Sequence, residues 1–187
     1  NIAAYDGTDW IQLGSNNNNQ GTDGIIKSLF PAGHRLYVAG AFNTFGGTVT
    51  GNIAFYTDNT GNWGGIGSPF SNGIVDLALV GNTLWAMDES SVAGNRSIRS
   101  FENSKWAEPL NFLPYNLAVP KTIAGGRDEL YIGGDFDLVS NIHNITIYKD
   151  GDYSLTKNRI EGSFDLDQNG QDAYIWGDFK EETTDIS

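Results

Sequence analysis

Leu36-Tyr37-Val38-Ala39-Gly40-Ala41-Phe42, followed by Asn52-Ile53-Ala54-Phe55-Tyr56 and then by Trp63, decides the fold. Each piece is short, rich in aromatic and β-branched residues, and fenced by Gly, Asn and Asp, which is the pattern of a strand rather than a helix. Every piece recurs. The Asn52 block has copies beginning at Asn1, Ser97 and Asn144, at steps of 51, 45 and 47 residues, and each copy ends in a ring: Tyr5, Tyr56, Phe101 and Tyr148. A second ring follows five to seven residues later, at Trp10, Trp63, Trp106 and Tyr153. The Leu36 block returns as Leu84-Trp85-Ala86-Met87, as Leu130-Tyr131-Ile132-Gly133-Gly134-Asp135-Phe136 and as Ala173-Tyr174-Ile175-Trp176-Gly177-Asp178-Phe179. Short apolar stretches at 24–30, 73–80, 121–124 and 159–164 lie between the second ring and the next Leu36-type block. The common order defines four repeats, 1–51, 52–96, 97–143 and 144–187.

Turn residues punctuate the repeats. Asp6-Gly7, Ala32-Gly33, Gly81-Asn82, Asp150-Gly151 and Asn169-Gly170 read as hairpin turns, because Gly and Asn accept positive φ. No amphipathic helix is evident, and stretches such as 106–115 carry Pro109 and Pro114, which break one. Four short strands in each unit of about 45 residues is the pattern of propeller blades, which stack because one small sheet cannot bury both of its faces. The expected fold is therefore all-β, a four-unit β-propeller or part of a larger one, occupying 1–187 as a single domain. On this reading the repeated rings fill the space between blades, and the glycine pairs let backbones approach near the axis. The first and last segments would complete one blade between them, which would pair the two termini.

The order from Leu36 to Gly67 resembles a kelch-type repeat. More narrowly, Asn1 to Gly14 and Leu36 to Gly47 are similar to the repeats of fungal Rax2-type cortical polarity markers, which are large surface glycoproteins with propeller ectodomains. The likeness runs over essentially the whole chain and is weakest at 84–97, where Met87-Asp88-Glu89 replaces the Gly-Gly-x-Phe ending. The resemblance implies a role in marking sites of polarised growth or bud-site selection, on the outer face of the plasma membrane, in a protein whose anchor lies outside this segment. The Asn16–Asn19 run fits a tolerated surface insertion. The sequons Asn95-Arg96-Ser97 and Asn144-Ile145-Thr146 make Asn95 and Asn144 candidate glycosylation sites, although Asn144 opens a repeat strand, where a structural role for its side chain competes.

Composition narrows the partners. Of 187 residues, 11 are Lys or Arg and 23 are Asp or Glu, giving a net charge of −12. A phosphate backbone needs a cationic surface, so nucleic acid is excluded as a main partner, and docking on anionic lipid is disfavoured. No apolar run approaches the roughly 18 residues of a membrane span. Cysteine is absent, which removes disulfides, thiolate zinc sites and cysteine nucleophiles. Residue 1 is Asn and no signal peptide is present, so a processed product or an excised piece is expected.

Four constellations bear on chemistry. Asp165, Asp167 and Asn169, followed by Gly170, match the opening of a calcium loop, in which oxygen ligands alternate around a tight Gly turn. Trp176 stands where the helical calcium hand needs its Glu, and the segment aligns with the turn at Pro31-Ala32-Gly33, so an acidic hairpin turn is the competing reading. His34 and His143 fall at turns or strand edges, and no G-x-S-x-G accompanies them, so a Ser-His-Asp nucleophile is not expected. Asp135 and Asp178 hold equivalent places in the Gly-x-Phe endings, with Asp88 nearby in its own repeat; converging on one pocket, such acids could serve a glycosidase. Trp176 stands where Gly133 and Ala39 stand, and is either a sugar-stacking ring or a substituted core position. The glycine-rich pieces lack the helix and Gly-Lys-Ser/Thr of a phosphate loop.

With no catalytic set standing out, the expectation is a non-enzymatic surface module, without cofactor, that binds a protein or a cell-wall polysaccharide through the loops at 15–23, 43–51, 88–97 and 137–144. The alternative is a secreted carbohydrate-binding or carbohydrate-active protein using the acidic strand ends.

Overall fold

Each sequence block becomes a strand, and the turn residues between blocks fold consecutive strands back on each other. The structure, a computed structural model, describes residues 2–13, 21–67, 70–90, 96–110, 119–135, 145–155 and 159–182, with backbone alone for 119, 135, 155, 159–164 and 176–182. The described residues are all-β, without a helix, and form several small antiparallel sheets. The chain divides into two compact units, Asn1–Asp76 and Leu77–Ser187.

In the first unit, β1 (Ala3–Tyr5) and β2 (Trp10–Gln12) make a two-stranded sheet. The strands β3 (Ile25–Ala32) and β4 (Arg35–Ala41) continue into a four-stranded sheet. A small hairpin, β5 (Thr44–Phe45) with β6 (Thr48–Val49), interrupts the path to the last two strands of that sheet, β7 (Ile53–Thr57) and β8 (Asn62–Gly65). The sheet order is β3-β4-β7-β8. The buried residues Val38, Phe42, Phe45 and Ala54 form the core of this unit, against which Ile2, Ile26, Leu36 and Trp63 pack.

The strand β9 (Ile74–Val80) leads into the second unit. With β10 (Thr83–Asp88), β11 (Ile98–Glu102) and β12 (Lys105–Trp106) it forms a second four-stranded sheet, ordered β12-β11-β10-β9. A third is made by β13 (Val119–Gly125), β14 (Leu130–Asp135), β15 (Ile145–Lys149) and β16 (Asp152–Leu155) in chain order. The long hairpin β17 (Arg159–Asn169) and β18 (Asp172–Glu182) closes the unit. Ala124, Ile145 and Leu166 form a core with Tyr131 and Ala173 around it.

The repeats are reproduced in the registers. The second and third strands of the four-stranded sheets pair as Leu36 with Tyr56, Leu84 with Phe101, and Leu130 with Tyr148. The two repeated rings sit directly opposite each other across a strand pair in all four repeats: Tyr5–Trp10, Tyr56–Trp63, Phe101–Trp106 and Tyr148–Tyr153, at centroid separations of 5.4, 5.0, 5.1 and 5.1 Å. Such tilted cross-strand aromatic pairs fix register and stabilise each sheet by about 0.5–1 kcal/mol beyond area burial. Each ring of these pairs therefore has a partner within its own sheet, and Trp63 also meets Phe45 of the β5–β6 hairpin. Among the described residues of the second unit, a residue of the Leu36-type block, Trp85, makes a ring contact between sheets, its ring meeting that of Tyr148 edge-on at 5.7 Å. Trp10 departs from the expectation that the repeated rings fill space between sheets. It is 74% exposed and Tyr5 is 57% exposed, because β1 and β2 form only a two-stranded sheet and the pair stacks mainly on itself.

The sheets of the second unit are stitched by side chains that reach backbone on a neighbouring sheet. The Thr122 hydroxyl donates to the Leu166 carbonyl and accepts its N–H, each at 3.3 Å. Gln168 goes further. Its Oε1 accepts the N–H groups of Leu79 (2.9 Å) and Gly125 (3.1 Å), while its Nε2 donates to the carbonyls of Leu79 (2.5 Å) and Gly170 (2.8 Å). The side-chain amide thus stands in for a peptide of a neighbouring strand. It occupies backbone groups on β9 and β13, the edge strands of their sheets, which are costly to leave unpaired away from water.

Candidate functional site

The antiparallel order separates two kinds of connection within each sheet. Two-residue turns join β3 to β4 at 33–34, β9 to β10 at 81–82, β11 to β12 at 103–104 and β15 to β16 at 150–151. Asn103, Ser104, Asp150 and Gly151 all have positive φ, the twist that keeps flanking strands paired. The connections from second to third strand leave from the opposite end and are longer, at 42–52, 89–97 and 136–144. The segments that lead into a sheet's first strand, 13–24, 66–73 and 107–118, enter at that same end, since strand direction alternates. Each four-stranded sheet therefore carries one end of short turns and one end of long connections, and long connections on a rigid support are where binding residues concentrate in proteins generally.

In the first unit the long end is a built structure. The hairpin β5–β6 folds over the sheet so that Phe45 is fully buried, with its ring 3.8 Å from that of Trp63 and 5.9 Å from that of Phe42. Asp23 anchors it, because its Oδ1 accepts the N–H groups of Asn43 (2.8 Å) and Thr44 (2.9 Å). Those hydrogen bonds, Thr44's foremost, hold the exposed carboxyl below the usual range. Asn52 fixes the return to β7. At φ 59° it adopts a conformation that Asn tolerates better than most residues. Its Nδ2 donates to the carbonyls of Phe70 (3.2 Å) and Asn72 (3.0 Å), and its Oδ1 accepts the Phe42 N–H (3.3 Å). On this support Val49 stands 81% exposed.

In the second unit Asp88 does the anchoring. It lies at the end of β10, only 7% exposed, and its Oδ1 accepts the Ser97 N–H at 2.7 Å while its own N–H donates to the Ser97 carbonyl at 2.9 Å. This closes the base of the 89–96 connection. Arg96 Nη1 then donates to the Pro120 carbonyl at 2.8 Å. Burial pushes the Asp88 carboxyl above its usual range, against the pull of the Ser97 N–H and of Arg99 and Arg96. A raised folded-state pKa means the native protein binds this proton more readily than the unfolded chain does. The carboxylate therefore weighs against stability at neutral pH, and this is relieved as pH falls through the raised value. Asp88→Asn is expected to be at least as stable as the parent at pH 7, with the difference shrinking toward about pH 4. Asp88→Ala orphans the Ser97 N–H and is expected to cost about 1–3 kcal/mol at either pH. Thermal melts of the three proteins at both pH values check this.

The residues singled out in the sequence fall as follows. Asp165, Asp167 and Asn169 lie on β17 and not in a loop; the turn itself is Gly170-Gln171. They are exposed and alternate with buried Leu166 and half-buried Gln168, so they line one face of an extended strand. Alternate residues on a strand stand about 6.6 Å apart, a row rather than the cage calcium needs. Among the described residues no group of three or more His, Asp or Glu side chains gathers as a metal site. His34 sits in the tight turn before β4, its Nδ1 3.4 Å from Asp58 Oδ2, with both side chains exposed. Asp135 ends β14 at the long end, and Asp178 lies within β18; Asp88 is buried and bound to the Ser97 N–H rather than presented to solvent. Trp176 pairs with Asp165 across the β17–β18 hairpin. Asn95, Asn144 and His143 lie outside the described residues, as do the 14–20 segment and the 137–144 connection.

Asp23, Asn52 and Gln168 are not among the residues that motifs single out. Asn52 had a signal, since it opens a repeat block as Asn1 and Asn144 do. Gln168 had none, because the aligned residues before the corresponding hairpin turns are Pro31 and Leu79. No protein-family model matches the chain, and a search of curated proteins finds none that matches it. Among the described residues no helix is long and apolar enough to cross a membrane.

Proposed function

We propose that the small sheets are blades of a kelch-like β-propeller within a cell-surface protein, and that this non-enzymatic module holds a protein or a cell-wall polysaccharide at the end where the long connections emerge. The observation that carries the reading is the division of each four-stranded sheet into a tight-turn end and a long-connection end, with the β5–β6 hairpin anchored by Asp23 and Asn52 and presenting Val49. Repeated registers and side chains stitching one sheet to the next are what stacked blades need. The resemblance to Rax2-type polarity markers favours an outward-facing role on a growing cell, and the charge of −12 favours a neutral or basic partner over nucleic acid.

The test is retention of the full chain on insoluble wall glucan and chitin, and capture of extracted wall proteins, comparing Val49→Asp at the long end with His34→Ala at the tight end. Val49→Asp is expected to weaken binding at least about tenfold, and His34→Ala to leave it unchanged. Equal losses in both variants, or binding that ignores Val49→Asp, would overturn the placement of the surface. Release of soluble sugar from either polymer would overturn the non-enzymatic reading.

A further inference from the structure

We infer that Asn169 is a site of spontaneous deamidation, and that its conversion loosens the Gln168 staple of the second unit. Two Asn-Gly pairs occur in the chain, Asn72-Gly73 and Asn169-Gly170. Their chemistry is the same. The backbone nitrogen of the glycine, after losing its proton, attacks the side-chain amide carbon of the asparagine. The new C–N bond closes a five-membered succinimide and expels ammonia. Water then opens the ring at one of its two carbonyls, leaving aspartate or isoaspartate. Glycine permits this because no Cβ shields the attacking nitrogen.

The fold treats the two pairs differently. Asn72-Gly73 is packed. The Asn72 carbonyl accepts the Asn52 Nδ2 at 3.0 Å, and a Cβ placed on Gly73 would lie 2.9 Å from the Ala41 Cβ and 3.1 Å from the Gly40 carbonyl oxygen. Bending that backbone into a succinimide requires local unfolding. Asn169-Gly170 is at the tip of the β17–β18 hairpin; both residues are exposed, and a Cβ on Gly170 would meet nothing within 4 Å. Only the last pair of the hairpin, Asn169 with Asp172, has to open, and strand ends open at small free-energy cost.

The product does not fit its place. A carboxylate at 169 stands opposite Asp172 and on the same strand face as Asp167, and like charges directly opposite are destabilising. Isoaspartate also adds one carbon to the main chain between Gln168 and Gly170. That displaces the Gly170 carbonyl, to which Gln168 Nε2 donates at 2.8 Å, from the amide that also holds Leu79 and Gly125.

The full chain is aged in mildly alkaline buffer and its peptides are mapped by mass, with isoaspartate detected by enzymatic methyl labelling. The peptide carrying Asn169 is expected to gain roughly 1 Da, the replacement of NH2 by OH, with labelling. It should do so at least about tenfold faster than the peptide carrying Asn72, because a packed backbone must first open. Aged parent is expected to melt at a lower temperature than fresh parent, whereas Asn169→Gln, which cannot close the five-membered ring, should melt unchanged after the same treatment. Conversion at Asn72 first, or at neither site, would overturn the inference, and so would equal loss of melting temperature in aged Asn169→Gln.

Discussion

A Gly125→Ala chain is expected to melt well below the parent, with a loss of about 3 kcal/mol or more. Gly125 ends β13, and a Cβ there would lie 2.0 Å from the Leu79 carbonyl oxygen, 2.6 Å from its carbonyl carbon and 2.9 Å from Gln168 Oε1. The first two contacts are with backbone that is itself held in β9, so no rotamer change relieves them. Either β9 and β13 separate, breaking the Gln168 contacts to both, or the strand end distorts. Gly151→Ala is the control. It adds a methyl group at a turn with nothing within 4 Å, so its cost is limited to the positive φ of 92°, about 1–2 kcal/mol. Melts followed by circular dichroism separate the two, and equal losses would sink the steric account.

Removing the amide should cost nearly as much. Gln168→Ala leaves the Leu79 N–H, the Leu79 carbonyl and the Gly125 N–H without the partner they have now, and roughly 3 kcal/mol is expected from these groups together. Gln168→Glu separates hydrogen bonding from packing. A carboxylate oxygen still accepts the two N–H groups, but the other oxygen faces the carbonyls of Leu79 and Gly170 where Nε2 now donates. That repulsion raises the folded-state pKa of the new carboxyl above the roughly 4.3 of an unfolded Glu. The sign follows: the penalty is fully present at neutral pH and is relieved as pH falls through the raised value, where the protonated acid donates as the amide did. The melting difference between Gln168→Glu and the parent should therefore shrink toward about pH 4, while that of Gln168→Ala should not. A pH-independent Gln168→Glu deficit would mean that shape, rather than donation to carbonyls, is what Gln168 supplies.

What was legible in the sequence was what repeats. Rings five to seven residues apart, as in Tyr56 and Trp63, are readable because two strands joined by a short turn place them opposite each other, and the pair recurs in all four repeats. Asp150-Gly151 and Gly81-Asn82 were readable because turn geometry restricts which residues can stand there. The illegible parts are single-copy contacts between a side chain and distant backbone. Gln168 meets Leu79 across 89 positions with no periodic trace. Asp88 read as a member of an acidic set with Asp135 and Asp178, because sequence position cannot tell a buried carboxylate that closes a loop from an exposed one. The segment with Asp165, Asp167 and Asn169 reads both ways, since oxygen-bearing residues at alternate positions suit a calcium loop and the wet face of a hairpin alike.

The offset between repeat and sheet governs how the protein can be cut. Each four-stranded sheet takes its first two strands from the end of one repeat and its last two from the start of the next, so the repeat boundaries fall between the second and third strands of a sheet. Fragments trimmed at those conspicuous positions would be orphan hairpins with sticky flanks. Severing at 66–73 or 107–118 instead leaves whole sheets, and those are the joints at which shortened or rearranged versions of this chain should be made.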